Sequence, residues 1–157
     1  MCAGDASGWW KEPSRLRSLR FFPRFSEQRR EAKLRAYAPY SRFHVGAALR
    51  MDGTTFTGTN VENASYGGTL CAERSAISAA VASGCRSLEI IAVSTDASEL
   101  TDMGMRAPCG LCRQVMSEFA APGLLVLLDG GTGMDGLPQG EVIPFELLLP
   151  WRFQLRK

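Results

Sequence analysis

Apolar and polar positions alternate at two different periods along this chain, and the change of period marks its elements. From Ser26 to about Tyr37, Ala32, Leu34 and Ala36 interleave with Arg29, Arg30, Lys33 and Arg35, which predicts a helix capped by Ser26. Ala38-Pro39-Tyr40-Ser41 ends it, because proline biases the residue before it away from helix. Phe43 to Leu49 and Thr55 to Thr59 read as two strands, joined through the hairpin signal Asp52-Gly53. Asn60 to Thr69 is loop by composition. An alanine-rich stretch from about Cys71 to Ser83 predicts a helix that Gly84 stops. Leu88 to Ser94 and Leu124 to Leu128 are near-continuous apolar runs, as in strands covered on both faces. Between them a further helix is expected from about Cys109 to Ala120, ended by Pro122-Gly123. Phe145 to Leu149 suggests a short helix before Pro150, and Trp151-Arg152-Phe153 closes the ordered chain.

One stretch resists this reading. Gly130 to Gly140 contains Gly131-x-Gly133-x-x-Gly136, but a dinucleotide-binding turn needs a helix directly behind it. Leu137-Pro138-Gln139-Gly140 follows instead, so the stretch reads as a flexible connection. The remaining order, with two strand-helix-strand units and buried strands, predicts a three-layer α/β/α sandwich around a mixed sheet.

Composition narrows the class. A chain of 157 residues suits one domain with a real core, and 45% hydrophobic with 22% charged residues is ordinary for a globular protein. No apolar run approaches the roughly 20 residues of a membrane helix, so no membrane partner is expected. The net charge of +2 is uneven: residues 1–35 carry nine Lys and Arg against four Asp and Glu, and the rest carries nine against twelve. The mildly acidic body weighs against a broad nucleic-acid surface. Residues 1–24, with Trp9-Trp10 and scattered arginines, are set apart as an N-terminal extension, leaving residues 25–157 as the main domain. Five cysteines without a secretory signal read better as reduced, partly metal-bound thiols than as a disulfide framework, which points to the cytoplasm.

The chemistry concentrates in Cys71-Ala72-Glu73-Arg74 and Pro108-Cys109-Gly110-Leu111-Cys112-Arg113-Gln114. Both clusters fall at predicted helix N-termini, where unpaired N–H groups and the helix dipole stabilise thiolate. Cys109 and Cys112 share one helix face. Thiolates suit zinc, and three protein ligands leave one tetrahedral position open, the mark of a catalytic rather than a structural site. Three thiolates leave the ion formally over-neutralised, so Arg74 is expected to return positive potential. Glu73 alone would read as a first-turn acid that complements a dipole. Beside three metal ligands it reads as a general base and then acid. Were His44, Cys2 or Cys85 to complete the tetrahedron, the site would be closed and structural.

These motifs resemble those of the cytidine deaminases, in particular the short, homotetrameric class. The resemblance rests on Ala38-Pro39-Tyr40-Ser41, Phe43, Val45-Gly46-Ala47-Ala48, Asn60-Val61-Glu62-Asn63-Ala64-Ser65-Tyr66 and the two cysteine clusters, and it spans roughly residues 26–153. It implies a five-stranded mixed sheet, one zinc per subunit on Cys71, Cys109 and Cys112, and Glu73 as the group that moves protons. It further implies that Asn60 and Glu62 bind the ribose 3′-hydroxyl, that Phe43 packs on the nucleoside, and that the Ala72 N–H helps hold the base. Tyr66 and Phe153 would reach into a neighbouring subunit's site in a homotetramer. The implied activity is hydrolysis of cytidine and deoxycytidine to uridine and deoxyuridine with release of ammonia. Two rival readings stay open at this point: the same chemistry on another aminopyrimidine or single-stranded nucleic acid, and a non-catalytic structural zinc module.

Overall fold

A computed structural model describes residues 23–97 and 102–155. Helix α1 (Pro23–Lys33) is followed by the hairpin β1 (Val45–Met51) and β2 (Thr54–Thr59), helix α2 (Ala72–Ala82) and strand β3 (Leu88–Thr95). Helix α3 (Gly110–Phe119), strands β4 (Ala120–Thr132) and β5 (Pro138–Pro144) and the short helix α4 (Phe145–Leu148) complete it. The five strands form one sheet in the order β2-β1-β3-β4-β5. Only β3 and β4 run parallel, across the α3 crossover, so the sheet is mixed. The expected three-layer α/β/α architecture is the one observed.

Side-chain alternation explains the layers. Ala47, Leu49, Met51, Ile91, Val93, Val126 and Leu128 point to one face and join Ala76, Ile77 and Ala80 of α2 and Cys112 and Met116 of α3 in the larger core. Ala48, Ile90, Ala92 and Leu127 point to the other face and meet Phe25 of α1 in a smaller one. Two glycines set the helices close. A Cβ on Gly46 would lie 2.1 Å from the Arg29 carbonyl oxygen in α1, and one on Gly58 would lie 2.4 Å from the Ala76 nitrogen in α2. Gly46 pairs with Thr59 and Ala47 with Gly58, so the two glycines face opposite sides and α1 and α2 cover opposite layers.

Several boundaries differ from expectation. Helix α1 starts at Pro23, where a missing N–H costs nothing, and Ser26 lies buried inside it rather than capping it. It ends at Lys33, because the next bonds tighten to the three-residue type, Arg35 N–H to Ala32 and Ala36 N–H to Lys33. Asp52 and Gly53 both adopt positive φ, +47° and +75°, as a tight hairpin turn requires. Pro122-Gly123 does not follow α3 as a free stop. It sits inside β4 where the register slips between Leu88–Ala120 and Ile90–Leu125, with Gly123 at φ +78°.

The glycine-rich stretch is not a flexible connection. Its first part extends β4 and its last part is the edge strand β5, joined by a turn in which Gly133 N–H donates to the Leu137 carbonyl at 2.9 Å. Pro138 and Pro144 sit at the two ends of this edge strand, where a lost N–H is tolerated. Residues 1–22, most of the expected extension, lie outside the described residues. Among the described residues no helix is long and apolar enough to cross a membrane.

Candidate metal centre and active site

Both cysteine clusters lie where helices begin. Cys71 is the N-cap of α2, and Cys109 is the N-cap of α3. Cys112, one turn into α3, is fully buried. The seat of α2 on Gly58 and the crossover through α3 bring the two helix ends together, and the three sulfur atoms all lie within 4.8 Å of one another. Cys71 is half-buried and Cys109 exposed, so the cluster opens to solvent on one side.

The electrostatics fit a soft cation. A hydrogen bond from the Cys112 thiol, with help from Arg74 and against the cost of burial, holds the Cys71 thiol down to about 5. The same contact pushes the Cys112 thiol upward. These opposite shifts share one cause, the hydrogen bond between the two sulfurs, which favours thiolate on Cys71. Arg74 lies beside the cluster: its Nη2 donates to the Thr69 carbonyl at 2.9 Å and to Cys71 Sγ at 3.6 Å. Three thiols under two helix N-termini are a suitable set for zinc. Among the described residues no fourth His, Cys, Asp or Glu joins the group. His44 is engaged elsewhere, with Nδ1 2.8 Å from Asp96 Oδ2. Cys2 lies outside the described residues.

Glu73 follows Cys71 by two positions in the first turn of α2 and is 4% exposed. Burial pushes its carboxyl up to about 7; its own backbone N–H pulls against this, and the charge on Cys71 adds to it. A cavity of about 290 Å³ opens over Cys71, Glu73 and Cys109 and is lined further by Phe43, Asn60 and Glu62. A larger hollow of about 630 Å³ beneath α1 contains none of the sulfurs.

The polar groups at the far side of the cavity also build its frame. Asn60 Oδ1 accepts from the Val45 N–H at 2.8 Å, and its Nδ2 donates to the Phe43 carbonyl at 2.9 Å. Each amide atom keeps capacity for one more partner. The Glu62 carboxylate accepts from the Tyr40 and Ser41 N–H groups, at 2.8 and 3.2 Å, and from the Ser41 hydroxyl. The Ser41 hydroxyl is the main reason its pKa falls below the usual carboxylate range. Ala72 is fully buried as the first residue of α2, where N–H groups have no acceptor within the helix.

Tyr66 and Phe153 do not line this cavity. They are 80% and 67% exposed on the single chain, Tyr66 in the 3-10 turn Tyr66–Gly68 and Phe153 beyond α4 with its carbonyl accepting from Gln114 Nε2 at 2.9 Å. Sequence reasoning gave no separate part to Arg113, whose Nε donates to the Pro108 carbonyl at 2.7 Å and whose Nη1 donates to Leu148 at 3.1 Å, tying down the second cysteine cluster. Nor did it foresee that Gly104, Met105 and Ala107 form a wall of the cavity.

Comparison with known proteins bears on this arrangement. The profile of the family described as the cytidine and deoxycytidylate deaminase zinc-binding region matches residues 23–128. The chain is 44% identical over 116 residues to a cytidine deaminase of Halalkalibacterium halodurans, covering 73% of this chain and 84% of that one. It superposes on the crystal structure of cytidine deaminase from Burkholderia pseudomallei with a TM-score of 0.67 and 46% identity, covering 83% of this chain and 97% of that one. The corresponding values for cytidine deaminase from Mycobacterium tuberculosis are 0.65 and 36%, with 84% and 96% covered.

Proposed function

Because the chain belongs to the cytidine and deoxycytidylate deaminase family, we infer that it is a zinc-dependent enzyme hydrolysing cytidine and deoxycytidine to uridine and deoxyuridine with release of ammonia. The observation that carries this reading is the convergence of three sulfurs beside a buried carboxyl group, with Cys71, Cys109 and Glu73 lining one cavity.

Cys71, Cys109 and Cys112 would hold one zinc per subunit. When bound, zinc supplies Lewis-acid activation of water near neutral pH. The side chains do the rest. Glu73 takes a proton from the attacking water, passes it to ring N3, and later delivers a proton to the amine that leaves C4 as ammonia. Its burial suits the exchange, since a carboxyl group poised near neutrality can both accept and give a proton. Arg74 offsets the negative charge of the thiolates. The Ala72 N–H would hold the base, and Phe43 offers an aromatic face to it. Asn60 and Glu62 would take the ribose 3′-hydroxyl as donor and acceptor, using the capacity left by their bonds to the frame. The Glu62 charge beside the sugar disfavours a phosphate there, so a free nucleoside fits better than a nucleotide.

The exposure of Tyr66 and Phe153 supports their reaching a neighbouring subunit's site in a homotetramer; a fully active monomer in sedimentation would contradict this. The cytoplasm is the compartment that suits reduced thiols. The direct test is ammonia release from cytidine by the purified, zinc-loaded protein, and absence of turnover would reject the substrate.

A further inference from the structure

One wall of the nucleoside cavity comes from the segment between β3 and α3, through Gly104, Met105 and Ala107. Its described residues, 96–97 and 102–109, hold the 3-10 turn Met103–Met105, which Asp102 caps by accepting from the Gly104 N–H at 2.7 Å. Met103 and Met105 are poor anchors, at 36% and 49% exposed, whereas Ala107 packs against the larger core.

Two contacts tie the wall to the sheet: the Thr95 hydroxyl of β3, which donates to the Met105 carbonyl at 3.3 Å, and Arg106. The Arg106 side chain is only 5% exposed and does not line the cavity. Nε donates to the Asp129 carbonyl in β4 at 2.8 Å, and the terminal nitrogens pair with the Glu141 carboxylate in β5. A guanidinium fork is planar and rigid, so it fixes direction as well as distance. Asp129 is itself held by Arg29 and Arg30 of α1 and by the Ser94 hydroxyl of β3. The wall is thus pinned from behind, by groups that take no part in the chemistry. The cysteine end of the segment has a separate anchor, because Arg113 holds the Pro108 carbonyl independently of Arg106.

We propose that Arg106 is a positioning residue for substrate binding. It keeps the wall preformed against β4 and β5, and so sets the affinity for the nucleoside while leaving the metal ligands and Glu73 in place. If its loss left the wall in position about a tenth of the time, apparent affinity would fall about tenfold, since a site competent for only a fraction of the time loses affinity by that fraction.

This rests on the cytidine deaminase reading, and the experiment separates the two. Steady-state kinetics with cytidine and zinc content per subunit are measured for the wild type, Arg106→Ala, Arg106→Lys and Glu141→Gln. The expected result is a KM raised about tenfold in Arg106→Ala, with kcat within about threefold and zinc retained. Lysine, with charge but no fork, should restore part of the affinity. Glu141→Gln should shift KM in the same direction by less. A merely structural role would lower the melting temperature without moving KM apart from kcat. An unchanged KM in Arg106→Ala, or a loss of kcat in step with lost zinc, overturns the proposal. Should Arg106→Ala not fold, the half-exposed Glu141 carries the test, and an unchanged KM in Glu141→Gln overturns it equally. A wild type that does not turn over cytidine would instead overturn the functional reading beneath it.

Discussion

Replacing Asn60 by alanine strips two backbone groups of their partners at once, the Val45 N–H and the Phe43 carbonyl. Each lost bond in this part-buried setting costs about 1 kcal/mol, and more where the group is left unsatisfied. Asn60→Ala is therefore expected to lose about 2 kcal/mol of stability and to raise KM for cytidine, through loss of the sugar contact proposed for it and displacement of Phe43. Denaturant unfolding and steady-state kinetics check the two effects separately; unaltered values of both would contradict the dual role. The metal residues were legible in the sequence because their information is local. Cys109 and Cys112 are three positions apart, Glu73 is two from Cys71, and the alanine-rich run behind Cys71 with its stop at Gly84 marks a helix start. The second duty of Asn60 was not legible, because its partners, the Val45 N–H and the Phe43 carbonyl, lie 15 and 17 positions away in the chain and meet it only once the hairpin has folded. Arg106 was silent for the same reason: its partners Asp129 and Glu141 meet it only in the folded sheet.

At the scale of elements, the site depends on how closely α2 can lie on the hairpin. Gly58 is the residue that permits it, with the Ala76 nitrogen and the Ala72 carbonyl oxygen 2.4 and 2.5 Å from where a Cβ would stand. Both obstacles are backbone, so no side-chain rotation relieves them. Gly58→Ala should push α2 outward and carry Cys71 and Glu73 away from α3. The expected outcome is lower zinc occupancy and a stability loss of about 1–3 kcal/mol from overpacking, read by metal analysis and thermal unfolding; normal zinc content and melting temperature would contradict it. The helices and central strands were legible because their periods are clean and their stops are strong, as at Gly84 and Asp52-Gly53. The hairpin of β4 and β5 was not. Glycine and proline normally punctuate strands, and here they are tolerated by a register slip, by positive φ at Gly131 and Gly136 and by an edge position. The start of α1 was misplaced because Ser26, a good cap by type, is buried inside the helix.

Across the whole molecule the two sheet faces are built differently. The α2–α3 face is a broad apolar core with the metal centre at its rim, whereas the α1 face has few apolar contacts and a buried polar network around Asp129. Arg29 is fully buried against Asp129 at 3.0 Å, and burial draws its pKa down to about 10, still charged at neutral pH. Burial alone would raise the Asp129 carboxyl, but the hydrogen bond from Arg30 and the charge of Arg29 outweigh it and hold its pKa below the usual value. A depressed carboxyl pKa contributes stability that is present above the unfolded value, about 4, and is lost as pH falls through the lower folded value. The melting temperature should thus drop steeply in acid below about pH 4, and Asp129→Asn should flatten that slope; a parallel slope in the variant would contradict the assignment. The central claim is that three sulfurs hold the metal while a separate carboxyl group moves the protons. Its most direct test is Glu73→Gln, with zinc per subunit and ammonia release from cytidine measured on the same sample. The account predicts one zinc retained and turnover reduced by about 10²–10⁴; a variant that keeps wild-type turnover, or one that loses its zinc, would contradict it.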